Sequence, residues 1–492
     1  MSKDLIGNSR ALHYEEPLLW ELPQGDTGGV DFPKAQIKSR TGLPTREAIG
    51  LPDLKEPQVV RHFVRLSTKN YSIDHGFFPL GSCTMKHNPR LNEKMARLAG
   101  FAAIHPLQPE ETIQGALGVM FELQNWLGEL TGLPAVCLTP AAGAHGELAG
   151  LMTIKRAHEV KGNHHKKVIL VPDSAHGTNP ATAAMCGYSI RVIPTKETGR
   201  VTIDAFKEAL GDGYDVAGMM VTNPNTCGLF ESDILEISKL LHAAGGYFYC
   251  DGANFNALVG KIRPADFGVD VMHINLHKTF STPHGGGGPG SGPICVTEEL
   301  SPYLPVPTVW KDGDVLKLET IEDRPTSFGK LKGFHGQFGM FVRALSYMMS
   351  HGADGLRQVS EDAVLSANYI LSQLKDDYHV PYAGPCMHEC LLTDKLQKEH
   401  GITTLDIAKT LVEYGIHPMT VYFPLVLPGT MLIEPTETED KDSIDRFIQV
   451  MKLVAEKAKG KDHSLHENPV SSPRRRLDEV TAARQPRLRW KS

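Results

Sequence analysis

The sequence lacks the features that mark several specialised classes of protein. It has no uninterrupted apolar run long enough to cross a bilayer, and its first residues carry neither the apolar stretch of a secretion signal nor the Arg- and Ser-rich pattern of an organellar one. The 51 basic and 57 acidic side chains give a net charge of -6, without the basic excess typical of nucleic-acid-binding proteins. We therefore expect a cytoplasmic protein that binds neither membranes nor nucleic acid.

Cysteine is also scarce, with eight residues scattered over 492 positions. This distribution is typical of reduced thiols rather than of a disulfide framework. The stretch CMHEC nevertheless brings Cys386, His388 and Cys390 close together. A structural zinc site usually has paired CxxC knuckles and a fourth ligand, and neither is present here, so we predict no metal site.

The length exceeds that of a single typical core and predicts several domains. Residues 1–105 are rich in Pro and Gly and predict an extended N-terminal arm. Residues 106–335 alternate short apolar strands with helices, and residues 336–470 carry longer helices that predict a smaller α+β domain, its last helix capped by Asp442. Residues 471–492 form a basic tail.

The alternating region predicts an α/β fold. An amphipathic helix runs from about Glu111 and stops at Gly132. The strand candidates that follow are short and rich in β-branched or aromatic residues: AVCLTP, KKVILVP, SIRVIPT, AGMMVT, YFYCDGAN and VMHINLH. Strands alternating with helices favour a mostly parallel central sheet covered on both faces, in which ligands bind at the carboxyl ends of the strands.

Small or polar residues follow several of these strands. Ala142, Gly143 and Ala144 open a helix after the first strand, where unclad backbone amides favour an anion such as a phosphate. His176 follows the second strand and Asn223 the fourth. Taken singly, each has an ordinary explanation: glycine for packing, a structural histidine, or an Asx-turn.

Two further strand ends carry charge. Asp251 ends an apolar strand, which is a costly place for a carboxylate without a donor or cation, and Asn254 follows it. The next strand ends in His277 and Lys278. A plain salt bridge between Asp251 and Lys278 is the alternative explanation of this pair.

The combination favours pyridoxal phosphate, because this cofactor needs a lysine for its Schiff base, an acid at its ring nitrogen, a flat side chain over the ring and amides for its phosphate. Lys278, Asp251, His176 and the loop around Gly143 supply these four groups. We predict Lys278, Asp251 and His176 as catalytic residues. Cofactor contacts are expected from these three and from Ala142, Gly143, Ala144, Asn223, Asn254 and His277.

The stretch GGGGPGSG after Lys278 lacks the Lys-Ser/Thr ending of a nucleotide phosphate loop and does not precede a helix at the dinucleotide-binding spacing. We interpret its glycines as leaving room for cofactor and substrate.

The stretches FFPLGSCTMKHNPR, DSAHGTNPATAAM, VTNPNTCGLFE, DGANFNALVG and HINLHKTFSTPHGGGGPGSGP together closely resemble the glycine cleavage system P-protein family, the decarboxylating glycine dehydrogenases. The resemblance implies the aspartate-aminotransferase-like fold (fold type I) of pyridoxal-phosphate enzymes, with the cofactor covalently on Lys278. It implies oxidoreductase chemistry in which glycine is decarboxylated and its aminomethyl group passes to the lipoyl arm of H-protein.

The chain length resembles that of the cofactor-binding subunit, subunit 2, of the two-subunit form of this family. That form implies a partner subunit 1, with two copies of each subunit. Two other functions stay open from the sequence: another fold type I decarboxylase or lyase, and a non-catalytic scaffold paralogue. A scaffold would be expected to lack Lys278 or Asp251, and both are present.

Overall fold

The computed structural model describes residues 16–22, 42, 44, 50–195, 197–285 and 290–489. The predicted role of the glycine loop falls mostly on residues 286–289, outside the described residues. The chain divides into one unit of Gly76–His466 and a second of Met1–His75 with Glu467–Ser492. Within the described parts, no helix combines the length and apolarity needed to span a membrane.

The larger unit is built on a seven-stranded sheet. Its strands are β1 (Ala135–Cys137), β2 (Val168–Pro172), β3 (Ser189–Ile193), β4 (Val216–Thr222), β5 (Tyr247–Gly252), β6 (Val271–Ile274) and β7 (Ile294–Val296). Their order is β1-β7-β6-β5-β4-β2-β3. Pairing is parallel from β3 through β6, whereas β7 is antiparallel to both of its neighbours. β2, β4, β5 and β6 are buried along their whole lengths, as expected for a sheet covered on both faces.

The described residues also form two smaller sheets. One is a hairpin of β8 (Val309–Asp312) and β9 (Val315–Leu318). The other has the order β10-β12-β11 and contains β10 (Cys390–Thr393), β11 (Thr420–Val421) and β12 (Thr430–Ile433).

In the larger unit, helices connect and cover these sheets. The described helices of both units are, in chain order, α1 (Glu56–Thr68), α2 (Arg90–Ala96), α3 (Ala99–Ala102), α4 (Gln114–Thr131), α5 (Gly143–Val160), α6 (Thr178–Met185), α7 (Ile203–Leu210), α8 (Ile234–Ala243), α9 (Leu276–Thr279), α10 (Phe338–Leu374), α11 (Lys395–Lys398), α12 (Thr404–Glu413), α13 (Lys441–Lys459), α14 (Ser464–Glu467) and α15 (Glu479–Arg484). Of these, α1 and α15 belong to the second unit. One hydrophobic cluster follows the large sheet and α4, and another joins α12, α13 and the end of α10 to the β10-β12-β11 sheet.

The predicted α/β fold is confirmed, and all six predicted strands are present as β1 to β6. The stop of α4 at Gly132 is explained by a left-handed backbone, with φ 71°. β7 was not predicted from the sequence, because three apolar residues after a glycine-rich stretch are too few to show the alternation of a strand. The predicted cap at Asp442 was wrong: Asp440 caps α13, its carboxylate accepting from the Ser443 amide at 2.7 Å, and Asp442 lies in the first turn.

Candidate active site

The carboxyl ends of β4, β5 and β6 and the loop after β2 meet the start of α5 around a cavity of about 210 Å³. Six of the predicted site residues line this cavity: Gly143, Ala144, His176, Asp251, His277 and Lys278. Parallel strands bring these side chains together because their carboxyl ends all lie at one edge of the sheet.

Lys278 lies in the single turn of α9, directly after β6. Its Nζ donates to the carbonyl oxygen of Ser82 at 2.7 Å. The next amide, that of Cys83, donates to Glu434 Oε2 at 3.2 Å. One peptide group therefore connects the amine of Lys278 to a buried carboxylate.

Residues 82–84 are held against Lys278 by two buried carboxyl groups. Glu389 Oε2 accepts from the Ser82 amide at 2.7 Å. Glu434 accepts from the amides of Cys83 and Thr84 and, at 2.7 Å, from the Thr84 hydroxyl. Burial and the neighbouring Glu434 raise the pKa of Glu389 well above its ordinary value. The segment that positions Lys278 is thus fixed by residues more than 300 positions away in sequence.

The CMHEC stretch contributes to this region differently from a zinc knuckle. Cys386 and Cys390 pack into the C-terminal hydrophobic cluster. His388 is fully buried, and its Nε2 lies 3.8 Å from Oε1 of both Glu389 and Glu434. The histidine thus faces the two carboxyl groups rather than the cysteines.

Asp251 is buried at the end of β5 and is surrounded by donors. Oδ2 accepts from Asn179 Nδ2 at 2.9 Å, Oδ1 accepts from the Ala253 amide at 2.9 Å, and His273 Nε2 lies 3.3 Å from Oδ1. Burial opposes ionisation, but His273, Asn179 and the Ala253 amide, together with Lys278, outweigh it and hold the pKa of Asp251 below its ordinary value. The side chain is therefore an ionised acceptor facing the cavity.

His176 follows β2, is solvent-exposed, and lines the cavity. Its Nδ1 lies 2.8 Å from the hydroxyl of Thr178, the first residue of α6. Partial desolvation, opposed by Asp251, lowers the pKa of His176, so the ring is neutral at physiological pH.

The start of α5 is suited to an anion. Its first amides precede the hydrogen-bonded turns of an 18-residue helix and carry partial positive charge. A Cβ at Gly143 would lie 2.7 Å from Asn275 Oδ1, so a larger residue would require the Asn275 side chain to move. Thr222 Oγ1 and Asn275 Oδ1, both in residues lining the cavity, are buried without a partner among the described residues. An amine, a carboxylate, a flat ring, an anion cradle and unpaired polar atoms together fit pyridoxal phosphate.

Three predicted cofactor contacts do not line the cavity. Asn223 Oδ1 accepts from the Glu231 amide at 3.1 Å, and Asn254 Nδ2 donates to the Pro224 carbonyl at 2.9 Å. Ala142 is the N-cap residue of α5, one position before the lining residues. The cavity is lined instead by Thr222, Thr226 and Ala253, which lie close to Asn223 and Asn254 in the sequence. Burial lowers the pKa of His277, which does line the cavity, to about 3.

Glu147, Asn179 and His273 were not predicted as site residues, yet they adjoin Asp251 in the structure. Asn179 donates to both Glu147 and Asp251, and His273 faces Asp251 from the neighbouring strand. Two of these residues could have been recognised in the sequence as polar side chains among apolar neighbours. Glu147 interrupts the buried face of α5, and His273 interrupts the apolar run of β6.

Comparison with known proteins identifies the family. The profile described as "Glycine cleavage system P-protein" matches residues 31–314, and that described as "Glycine dehydrogenase, C-terminal domain" matches residues 359–472. The chain belongs to the glycine cleavage system P-protein family. A family member from Caulobacter vibrioides, named "Probable glycine dehydrogenase (decarboxylating) subunit 2", is 57% identical over 99% of this chain and 94% of its own length. One of the same name from Caldanaerobacter subterraneus is 52% identical, covering 90% of each chain.

Solved structures support the fold. A crystal structure of glycine decarboxylase (P-protein) of the glycine cleavage system, in inhibitor-bound form, superimposes with a TM-score of 0.69 at 21% identity, covering 86% of this chain and 93% of that one. A cysteine desulfurase from Thermococcus onnurineus has a TM-score of 0.60 at 13% identity, covering 78% and 95%. The fold is therefore the fold type I architecture of pyridoxal-phosphate enzymes.

Proposed function

We propose that this chain is the cofactor-binding subunit of a glycine decarboxylase, in which Lys278 holds pyridoxal phosphate covalently. The observation that carries the proposal is the convergence of Lys278, Asp251 and His176 on one cavity in a chain of this family. Glycine loses its carboxylate as carbon dioxide, and the electron pair of the broken bond ends in a new carbon–sulfur bond to a lipoyl group. The lipoyl disulfide breaks, and its other sulfur takes up a proton to become a thiol.

Bound pyridoxal phosphate supplies a carbonyl carbon for linkage to amines and a protonated ring that withdraws electrons from the substrate carbon. Lys278 holds its amine against the Ser82 carbonyl, which fixes the direction of Nζ and keeps it beside the cavity. When not linked to the cofactor, Nζ would be able to move a proton within the cavity that Lys278 lines.

The remaining residues hold and orient. The ionised carboxylate of Asp251 would accept a hydrogen bond from the protonated ring nitrogen of the cofactor and keep that proton in place. The flat side chain of His176, which lines the cavity, would stack on the ring. The amides of Gly143 and Ala144 would bind the phosphate at the start of α5.

The partners follow from the family relationship. Relatives named subunit 2 support a second, related subunit, and we infer an assembly containing two copies of each. The lipoyl group reaches the cavity on the arm of H-protein, and glycine is the amino acid substrate.

Borohydride reduction of the cofactor-loaded chain, followed by peptide mapping, tests the assignment of Lys278. We expect the pyridoxyl group on Lys278 and its complete loss in Lys278→Ala, with the fold retained. Lys155→Ala is the control, because Lys155 Nζ also donates to a backbone carbonyl, that of Cys186 at 2.9 Å, but lies outside the cavity.

The control variant is expected to label as the wild type does. Labelling of another lysine in the wild-type chain would refute the proposed role of Lys278. Decarboxylation by the Lys278→Ala variant would refute it equally.

A further inference from the structure

The buried carboxyl group of Glu147 lies behind the proposed catalytic residues. Glu147 is only 3% exposed on α5, and its Oε2 accepts from Asn179 Nδ2 at 3.0 Å. The same Asn179 nitrogen donates to Asp251 Oδ2 at 2.9 Å. Glu147 Oε1 lies 2.8 Å from the hydroxyl of Thr178. Glu147 is therefore connected to Asp251 through one amide and to His176 through one hydroxyl.

The Thr178 hydroxyl can donate only one hydrogen, yet it lies 2.8 Å from both Glu147 Oε1 and His176 Nδ1. If Glu147 is ionised, the carboxylate only accepts, so the hydroxyl donates to it and His176 must carry its hydrogen on Nδ1. If Glu147 is protonated at Oε1, it donates to the hydroxyl, the hydroxyl donates to Nδ1, and His176 carries its hydrogen on Nε2. The protonation of Glu147 thus selects the tautomer of His176.

The Thr178 amide distinguishes these two states. It donates to His176 Nδ1 at 3.3 Å, which requires a lone pair on that nitrogen. Glu147 Oε2 already accepts from Asn179 and, at 3.4 Å, from the Thr182 hydroxyl, so the carboxyl proton belongs on Oε1. The Thr178 amide donating to His176 Nδ1 and the two donors at Glu147 Oε2 are both consistent with a protonated Glu147.

The surroundings of Glu147 favour the same state. Asp251 and Tyr249 face it from β5, His273 from β6 and His176 from the loop before α6, while α6 offers only uncharged donors. Burial, followed by the charge of Asp251, raises the pKa of Glu147 to about 7.

Two acidic residues near the other end of α5 are not among the groups that shift the pKa of Glu147. They are Glu298 and Glu299, and Glu299 is paired there with Lys161.

We propose that Glu147 is a positioning residue that, when protonated, fixes His176 as the neutral tautomer with its hydrogen on Nε2, acting through the Thr178 hydroxyl. The proposal deepens the function proposed above for the same site, but it concerns side chains that hold this arrangement without cofactor. In this tautomer Nε2 of His176 carries the hydrogen. It has no protein partner among the described residues, so it can donate a hydrogen bond to a ligand. Loss of the Glu147 proton turns the same nitrogen into an acceptor.

Solid-state ¹⁵N NMR of the full chain with labelled histidine, prepared without cofactor, reports this tautomer directly. The His176 signals are identified by their loss in His176→Gln. In the wild type we expect the neutral ring to carry its hydrogen on Nε2 below the pKa of Glu147, about 7, and to shift toward Nδ1 as the pH rises through that value. Glu147→Gln should hold the Nε2 tautomer wherever the ring is neutral, because its amide donates to Thr178 as the protonated acid does.

Variants of Thr178 separate the hydroxyl from general structural effects. Thr178→Val removes the shared hydroxyl, and the tautomer should no longer follow pH. Thr178→Ser restores the hydroxyl and should restore the wild-type response. Lys278→Ala should retain the wild-type response, so this proposal and the proposed cofactor chemistry can fail separately.

Infrared spectroscopy provides a second readout. We expect Glu147→Gln to remove a carboxylic-acid carbonyl band that titrates near pH 7. Glu439→Gln is the matched control, because burial also raises the pKa of Glu439 to about 7 and this residue does not line the cavity. The control should lose its own band and leave the His176 tautomer unchanged. A neutral wild-type His176 with its hydrogen on Nδ1 below pH 7, or a tautomer insensitive to both Glu147→Gln and Thr178→Val, would overturn the proposal.

Discussion

At the scale of single residues, two neighbouring buried acids have pKa values shifted in opposite directions. Asp251 is within reach of His273, Asn179 and the Ala253 amide, and these partners outweigh burial, so its pKa is lowered. Glu147 has only the uncharged donors of α6, and burial together with the charge of Asp251 raises its pKa to about 7. Hydrogen-bond donors and nearby charge, rather than burial alone, therefore decide which acid ionises.

This difference predicts a pH-dependent contribution to stability. Native Glu147 keeps its proton up to about pH 7, whereas the unfolded chain loses it near the ordinary pKa of 4.5. The free energy of unfolding therefore falls as pH rises between these values and is level above them. Between pH 5.5 and 8 the wild type should lose about 2 kcal/mol relative to Glu147→Gln, measured by denaturant unfolding.

Glu129→Gln is the control for this measurement, because Glu129 is exposed on α4. Its stability should follow that of the wild type across the same pH range. Parallel curves for the wild type and Glu147→Gln would show that Glu147 is ionised in the native state.

At the scale of elements, the site depends on the close pairing of β5 with β6. The register places Asp251 opposite His273 and Gly252 opposite Ile274. A Cβ at Gly252 would lie 1.9 Å from the carbonyl oxygen of His273, so a larger residue must push the two strands apart. The distance between Asp251 and His273 is therefore maintained by a glycine that does not itself line the cavity.

Gly252→Ala should destabilise the chain by about 1–3 kcal/mol through overpacking and weaken cofactor binding more than tenfold, because Asp251 moves relative to Lys278. Thermal unfolding and titration with pyridoxal phosphate measure the two effects. Gly115→Ala in α4 is the control, since its Cβ meets nothing within 4 Å and alanine favours helix. Equal stability and equal cofactor affinity of Gly252→Ala and Gly115→Ala would show that close contact between β5 and β6 does not require glycine at position 252.

At the scale of the whole molecule, the chain carries a complete set of proposed cofactor residues in one unit, Gly76–His466. The relatives named subunit 2 nevertheless support a partner subunit. The basic tail of residues 471–492 and the arm of residues 1–105 remain predictions as separate regions. Residues 82–84 of the arm are held at the cavity by Glu389 and Glu434, so we propose that the tail and the part of the arm before Gly76 contact the partner.

Co-expression with subunit 1 should therefore yield an assembly of two copies of each subunit, measured by native mass spectrometry. Exchange of labelled bicarbonate into glycine should require this assembly and should rise further with lipoylated H-protein. Lys278→Ala should still assemble while losing exchange, which separates assembly from chemistry. Full exchange by this chain with H-protein alone would rule out the two-subunit arrangement.

The sequence by itself determined the alternation that builds β1 to β6, and it located Lys278, Asp251 and His176 at the strand ends. These features are local, because strand periodicity and a charged residue after an apolar run are visible within a few positions. Parallel topology then predicts that such residues meet at one edge of the sheet.

Only the tertiary structure decided which groups surround those residues. The carbonyl that accepts from Lys278 belongs to Ser82, 196 positions earlier, and the carboxyl groups that hold this segment come from the C-terminal part of the chain. The structure also has Thr222 and Ala253, rather than the adjacent Asn223 and Asn254, lining the cavity, and it brings Glu147 to Asp251 through Asn179. Such contacts depend on long-range packing and on where each buried polar group finds its partner, and a local sequence pattern contains neither.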